Sequence, residues 1–464
     1  MPVSSKSYRQ ETAILELGDE FYDRVVPAQF PDLIPRFLNR RWAERVGLGE
    51  LDDSEWVAHF GRFEPLPENL PQPLALRYHG HQFRQYNPEI GDGRGFLLGQ
   101  LRDDNDRLLD LGTKGSGTTR WSRRGDGRLT LKGGVREVLA TEMLEALGVN
   151  TSKSFALFET GEGLIRGDEP SPTRSAVLTR LSHGHIRIGS FQRLAFFEDT
   201  ANLAKLTRYC LVELFGEALA PDDSANAARL FELVATKTAG LAASYMAAGF
   251  VHGVLNSDNI NVTGESFDYG PWRFTPDWDP AFTAAYFDEF GLYAFGRQPE
   301  AIHWDVAQFA GCLALIGEAR PLSDTLADWG ARFETALVEA LLARLGVAPL
   351  GPTKDRPLVA ALIAALQSRE VGIDRLFFDW RGGGDPGDEA YHSQAFRNLA
   401  AHLEGRSRAP AHPYWSDPSP CSMQIEEVEA IWAAIDRQDD WAPFEAKIAS
   451  IRRMGDAVRA DAAA

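Results

Sequence analysis

Four short segments of the chain carry residue types that can hold a polyphosphate and move a proton. Gly91, Gly93 and Gly95 fall on alternate positions of IGDGRGFLLGQL, just ahead of an apolar run. Glycines let a backbone come close to phosphate oxygens and adopt positive φ. Lys114 ends RLLDLGTK, 23 residues after Gly91, and Glu137 follows after another 23. A lysine can grip phosphates, and a nearby carboxylate can hold that lysine in place. The fourth segment, VHGVLNSDNINVTGESFDYGP, starts at Val251 and carries His252, Asp258, Asn259 and Asp268. Asn and Asp oxygens ligate hard divalent cations, and a free carboxylate can accept a proton. Taken singly, each segment also fits a plain role, as a hairpin turn, an exposed lysine or a solvated helix acid. The order and the spacing give them weight.

In this order the pieces follow the ATP site of a protein kinase: glycine loop, strand lysine, helix glutamate, then H-R-D-L-x-x-x-N and D-F-G. His252 takes the His position, Asn259 falls seven residues on where the metal-binding Asn belongs, and Asp268-Tyr269-Gly270 stands for D-F-G. One piece is missing. The kinase base would stand at position 254, which is Val254, and valine accepts no proton. Asp258 is the nearest replacement carboxylate, although Ser257-Asp258-Asn259 is also a turn-forming sequence. Three readings follow: an enzyme doing different chemistry in a kinase-like cleft, a phosphotransferase with a displaced base, or an inactive nucleotide-binding scaffold.

The charge pattern agrees with an anion site. The 464 residues include 48 Lys plus Arg and 66 Asp plus Glu, a formal net charge of −18. That balance argues against nonspecific nucleic acid and anionic membranes as partners. Residues 107–136 run the other way, with eight bases against Asp110 and Asp126, a local +6. Arg180 and Arg187 can add to the patch. A triphosphate needs several cations. A rival chemistry is a four-histidine metal site from His79, His81, His183 and His185, since each His-x-His pair would project from one strand face. Arg84 and Arg187 beside these pairs would repel a cation.

The remaining sequence must position these groups. At 44% hydrophobic and 25% charged residues, the chain can build a large core without staples. Cys210, Cys312 and Cys421 form no CxxC pair, which fits reduced, buried thiols in a cytoplasmic protein. The first residues show no apolar signal-peptide core, and no apolar run of about 18 residues could span a membrane. Short helical patterns broken by prolines predict a helical N-terminal extension over 1–75. Strand-like runs over 76–195, interrupted by one helix in GGVREVLATEMLEALG, predict a β-rich lobe holding Lys114 and Glu137. Ala/Leu-rich stretches such as 227–249 and 321–346 predict a larger helical lobe over 196–464, with loops at 382–384 and 410–420. The expected class is α+β, two-lobed and protein-kinase-like, with nucleotide between the lobes.

With these residues in hand, the chain resembles the selenoprotein O family of protein adenylyltransferases. The resemblance rests on GHQF (80–83), GDGR (91–94), KGSG (114–117), SRRGDGR (122–128), REVL (136–139), HIRIG (185–189), HGVLNSDN (252–259), FDYGP (267–271) and YAFGRQP (293–299). It implies a kinase-like fold that binds ATP in a flipped orientation and transfers AMP to Ser, Thr or Tyr hydroxyls of proteins, the chain itself among the candidates. It implies Asp258 as base and Asn259 and Asp268 as ligands of magnesium, or alternatively manganese. Gly91, Gly93, Arg94, Lys114, Asp126, Gly127, Arg180, Arg187 and Asp268 would contact ATP, and Glu137 would pair with Lys114.

Overall fold

The helix that carries Glu137 shows how local sequence sets the frame. Thr130 caps it, its hydroxyl accepting from the Gly133 N–H at 3.1 Å. Val135, Val138, Leu139 and Met143 then recur at helical spacing, and all four are fully buried. The helix spans Leu131–Ala146 and is closed by Gly148 at φ +81°. The computed structural model describes residues 7–167, 169–406, 408 and 412–463.

This helix lies against one antiparallel sheet. Its strands are β1 (Gln10–Glu11), β2 (Tyr22–Arg24), β3 (Ile34–Leu38), β4 (Leu74–Leu76), β7 (Leu97–Arg102), β8 (Leu108–Lys114), β9 (Leu129–Thr130), β10 (Lys153–Leu164) and β11 (Thr173–Ser182). A separate hairpin, β5 (Gly80–Gln82) and β6 (Gln85–Asn87), stands beside it. The main path runs β2-β4-β7-β8-β11-β10-β3, with β1 on β7 and β9 on β11. In the β8–β11 register Lys114 lies opposite Leu178, and Arg180 follows two residues on. The period of two therefore turns Lys114 and Arg180 to the same sheet face.

The helical extension expected over 1–75 is replaced by a mixed segment. Four of its short runs are strands of the main sheet, and only Arg40–Arg45, Asp53–Trp56 and a π-turn over Val57–Gly61 are helical. Pro35 is tolerated because β3 is an edge strand, pairing with β10 alone. The rest of this segment covers the outer sheet face, where Trp56 and Phe60 pack on Phe155 at ring separations of 5.0 and 5.1 Å.

Beyond residue 196 the chain is mainly helical. Asp222 caps the longest buried helix, Asp223–Ala248, which stops at Gly249 with φ +68°. The stretch 321–346 forms two helices, Ala319–Ala327 and Trp329–Leu345. β12 (Phe250–Val251) and β13 (Arg273–Phe274) pair around the segment with Asp258. The expected loop at 410–420 holds a 3₁₀ turn at Pro413–Ser416, and its residues 410 and 411 lie outside the described residues.

The last two helices, Ile425–Gln438 and Ala442–Ala463, return to the first lobe. Arg452 grips the buried Glu142 at 2.8 and 2.9 Å, and Lys132 meets Glu429 at 2.7 Å. One apolar cluster runs from the sheet through the Leu131–Ala146 helix into these terminal helices. The C-terminal part of the expected helical lobe thus braces both lobes. No helix among the described residues is long and apolar enough to cross a membrane.

Candidate active site

Between sheet and helices lies a cleft of about 770 Å³. Gly91, Gly93, Arg94, Lys114, Asp126, Gly127, Arg180, Arg187, Asp258, Asn259 and Asp268 all line it. Glu137 stands behind that wall and is buried. Eight cationic side chains and four aspartates face the space, so the cleft is net positive inside an acidic chain.

At its inner end four charges form one network, with Lys114, Glu137 and Arg180 buried and Asp268 partly open to the cleft. Lys114 Nζ lies 2.6 Å from Glu137 Oε2 and 3.0 Å from Asp268 Oδ1. Arg180 reaches the same two carboxylates at 3.2 and 3.3 Å. Burial opposes ionisation of Asp268, but Lys114, Arg180 and Arg187 outweigh it and hold the carboxyl well below its ordinary range. Asp268 also sits at φ +62°, a conformation that an aspartate keeps only when its surroundings fix it. His252 helps to fix it, its Nε2 lying 3.1 Å from the carbonyl of Phe267.

Asp258 occupies a 3₁₀ turn, Ser257–Asn259. The turn is held from outside. The His81 N–H donates to Ser257 Oγ at 2.7 Å, and Ser257 donates to Gln192 at 2.6 Å. Arg187 donates to the Asp258 carbonyl at 3.0 Å and stacks over Tyr78 and Phe267. The Asp258 carboxylate is buried, and its Oδ1 has no hydrogen-bond partner. Burial raises its pKa to about 7, against the opposing pull of Arg187 and with the Asp268 charge adding to the rise. A buried carboxyl with a free oxygen and a pKa near neutrality is the chemistry of a general base. Beside it, Asn259 donates its amide N–H to the Val254 carbonyl at 2.9 Å, which leaves its carbonyl oxygen for a cation.

The glycine loop has a second reason for its composition. A Cβ on Gly91 would lie 2.6 Å from the Trp121 ring, and one on Gly93 would lie 2.9 Å from the Trp121 carbonyl. The loop is therefore folded tightly onto Trp121–Ser122, and this packing holds its backbone toward the cleft.

The basic run 107–136 divides. Lys114, Arg123, Arg124 and Arg128 reach the cleft. Arg107 instead pairs with Asp103 at 2.7 Å, Arg120 with Asp23 at 3.6 Å, and Lys132 with Glu429. Arg136 donates to the Trp272 carbonyl and covers that ring. Half of the linear patch is therefore structural. Arg166, which no motif marked, replaces part of it by meeting Asp126 at 2.8 Å on the cleft wall. Tyr78 was likewise unmarked, and Asp92 lies inside GDGR without a role of its own. Asp92 faces Arg187 at 3.5 Å.

The four histidines do not make a metal site. His79 Nδ1 meets Tyr86 at 2.7 Å, His81 Nδ1 meets Gln192 at 2.7 Å, and His185 Nδ1 meets Asp110 at 3.3 Å. Among the described residues no group of three or more His, Cys, Asp or Glu comes together as one. The three cysteines are buried and free.

The family model described as protein adenylyltransferase SelO matches residues 4–404. The chain belongs to the SelO family. It is 41% identical to the protein nucleotidyltransferase YdiU of Gloeobacter violaceus, over 96% of this chain and 95% of that protein. Identity to the YdiU of a Synechocystis species is 40%, over 94% and 96%. A Bradyrhizobium YdiU is 33% identical over 95% and 92%. As a SelO member the chain is a protein adenylyltransferase of kinase-like fold that uses ATP. The match of the SelO model ends before the two terminal helices that brace the lobes.

Proposed function

We propose that the cleft transfers AMP from ATP to a hydroxyl side chain of a protein, with Asp258 as the base. The acceptor oxygen attacks the α-phosphorus and gives its proton to Asp258. The bond from the α-phosphorus to the bridging oxygen breaks, and pyrophosphate leaves. The observation that carries this reading is the free Asp258 oxygen in a cationic cleft, in a chain with Val254 where a kinase has its base.

Lys114 and Arg180 would bind the triphosphate at the inner end, with Glu137 keeping Lys114 aligned. Arg94, Arg187 and the glycine loop would neutralise and orient the phosphates as charge shifts toward pyrophosphate. The amide protons of Gly91 and Gly93 suit phosphate oxygens, and Asp126 and Gly127 would close the outer wall. A flipped nucleotide, with its terminal phosphate inward, gives these arginines a use that phosphate transfer would not require.

The carbonyl oxygen of Asn259 and the ionised Asp268 suit magnesium or manganese. Magnesium is commonly held by one or two protein carboxylates plus substrate phosphates, so a site with one carboxylate fits. Such an ion would supply charge neutralisation on the phosphates.

Incubation with ATP labelled at the α or the γ phosphorus tests the reading. Protein label from α-ATP alone is expected. Label from γ-ATP alone would make the chain a phosphotransferase, and ATP binding with no transfer would make it a scaffold. Mass spectrometry of labelled protein, the chain itself included, separates Ser, Thr and Tyr acceptors.

A further inference from the structure

A second carboxyl is buried next to the turn that carries Asp258. The helix Gln298–Leu313 turns Gln298, Ile302, Asp305 and Phe309 to one buried face, at helical spacing. Gln298 holds the start of the catalytic segment, accepting from the His252 N–H at 3.0 Å and donating to the Phe250 carbonyl at 2.8 Å. Phe309, further along the face, packs at 4.8 Å on Phe191 of the helix Ile188–Phe196, whose Gln192 holds Ser257. Asp305 lies between these two anchors. Beside it, Trp304 stands 5.1 Å from the His81 ring, and the His81 N–H donates to Ser257. The helix is thus fixed to the catalytic segment at three points around Asp305.

Asp305 is 1% exposed, and its Oδ2 has no hydrogen-bond partner. Asp258 shares that condition at Oδ1. A carboxylate that is buried without a donor or a cation is strongly disfavoured and takes up a proton instead. The titratable groups that act on Asp305 are Asp258 from the turn, Arg84 from the β5–β6 hairpin and Tyr293 from the segment before the helix. Arg84 is the cation among them, and it donates to the exposed Glu300 at 2.9 Å. Tyr293 gives its hydroxyl proton to Asn256 at 2.6 Å. Gln192, from the helix Ile188–Phe196, is neutral. Burial and the Asp258 charge hold Asp305 well above the ordinary carboxylate range, against the pull of Arg84.

We infer that Asp305 is a positioning residue for Asp258: it keeps its own proton in the working enzyme, so that the two buried carboxyls carry one negative charge between them and that charge stays on Asp258. The inference rests on the reading of Asp258 as the base. Interacting carboxyls lose their protons in steps that belong to the pair. The first ionisation prepares Asp258 to take the hydroxyl proton. The second would place a like charge beside it, tighten the hold of Asp258 on its proton and repel the ATP phosphates. Asp258 therefore opens the active pH range on the acid side, and Asp305 closes it on the alkaline side. The Asp305 side chain also fills the space next to the catalytic turn, where a smaller residue would leave Asp258 room to move.

The test compares the full-length wild type with Asp305→Ala and Asp305→Asn. Asparagine copies the neutral acid in size and cannot ionise. Infrared difference spectra of wild type minus Asp305→Asn at pH 8, in EDTA and in magnesium, read the proton on Asp305 directly. They need neither ATP nor transfer, so failure of the base assignment and failure of this inference are separately visible. The band of a neutral carboxylic acid is expected in both buffers. Asp305→Ala is expected to lower transfer from α-labelled ATP about tenfold at pH 7.5, and Asp305→Asn to restore most of that loss. At pH 9.5 the wild type should fall about threefold or more from its neutral rate, while Asp305→Asn holds its own. If alanine does not fold, the spectra and the alkaline comparison still decide. Absence of the band, a band seen in EDTA alone (a cation held between the two carboxyls), an alanine variant as active as the wild type, an asparagine variant no better than a folded alanine one, or the same alkaline fall in wild type and Asp305→Asn would each overturn the inference.

Discussion

Gly80 stands so close to Asp258 that a Cβ on it would lie 2.8 Å from Asp258 Oδ1. That oxygen is the unpartnered one. The β5 strand therefore forms the wall against which the proposed base is set, and only a hydrogen at position 80 leaves the carboxylate where it is. Gly80→Ala is expected to displace Asp258 and cut AMP transfer at least tenfold. Gly80 has no positive φ, so alanine suits its backbone and the fold should hold. ATP binding by calorimetry should change little while transfer falls. Unchanged transfer would mean that the Asp258 position does not set the rate.

Lys114 and Glu137 allow stability to be separated from function. Lys114→Met leaves Glu137 buried with Arg180 as its remaining partner, and breaking a buried pair in this way costs on the order of 3 kcal/mol. Replacing both, as Lys114→Met/Glu137→Leu, removes the uncompensated charge and should recover part of that loss. Transfer should stay low in both variants, because the proposed phosphate-binding cation is gone. Thermal unfolding and labelled-ATP assays together check this. Equal melting points for the single and double variants would refute the pairing argument.

The residues legible in the sequence were those whose chemistry fixes their spacing. Lys114, Glu137, Asn259 and Asp268 stood out because phosphate and cation binding demands their types in that order. Asp258 drew attention as the nearest carboxylate once Val254 had failed as a base, and its role as base came from the resemblance to the family. Arg166 and Tyr78 carry no local signal and reach the cleft only through the fold, whereas Asp92 sits within GDGR. The run 107–136 misled because a linear charge count cannot see faces, and four of its bases turn to structural partners. The strands before residue 39 were hidden by their length of two to five residues and by Pro35. The bracing by the two terminal helices rests on pairs such as Arg452 with Glu142, 310 residues apart, which no local pattern can reveal.

Glu265 sets a pH dependence of stability. It is buried, and its Oε2 accepts from the His183 N–H at 2.8 Å. Burial raises its pKa from 4.5 to about 7, with Lys153 opposing. The folded pKa thus lies above the unfolded one. Its contribution is fully present below about pH 4.5 and is lost as pH rises through about 7. Glu265→Gln keeps an acceptor for His183 and cannot ionise. Between pH 5 and 8 the wild type should lose stability relative to this variant, by roughly 3 kcal/mol at most. Melting curves across that range check it, and parallel curves for the two proteins would show that Glu265 does not titrate there.

Asp268 should separate binding from transfer. Its carboxylate engages Lys114 and Arg180, the cations that phosphates would use. Asp268→Ala frees both and removes a negative charge from the triphosphate site, so ATP without divalent cation should bind several-fold tighter than to the wild type. The same change removes the proposed charged cation ligand, so transfer in magnesium should fall by about three orders of magnitude, as loss of electrostatic stabilisation at a reacting centre does. Calorimetry in EDTA reads the first effect, and α-labelled ATP in magnesium reads the second. Tighter binding with normal transfer would leave Asp268 as a competitor for Lys114 and nothing more. Weaker binding in EDTA would mean that Asp268 organises the cations and does not compete for them.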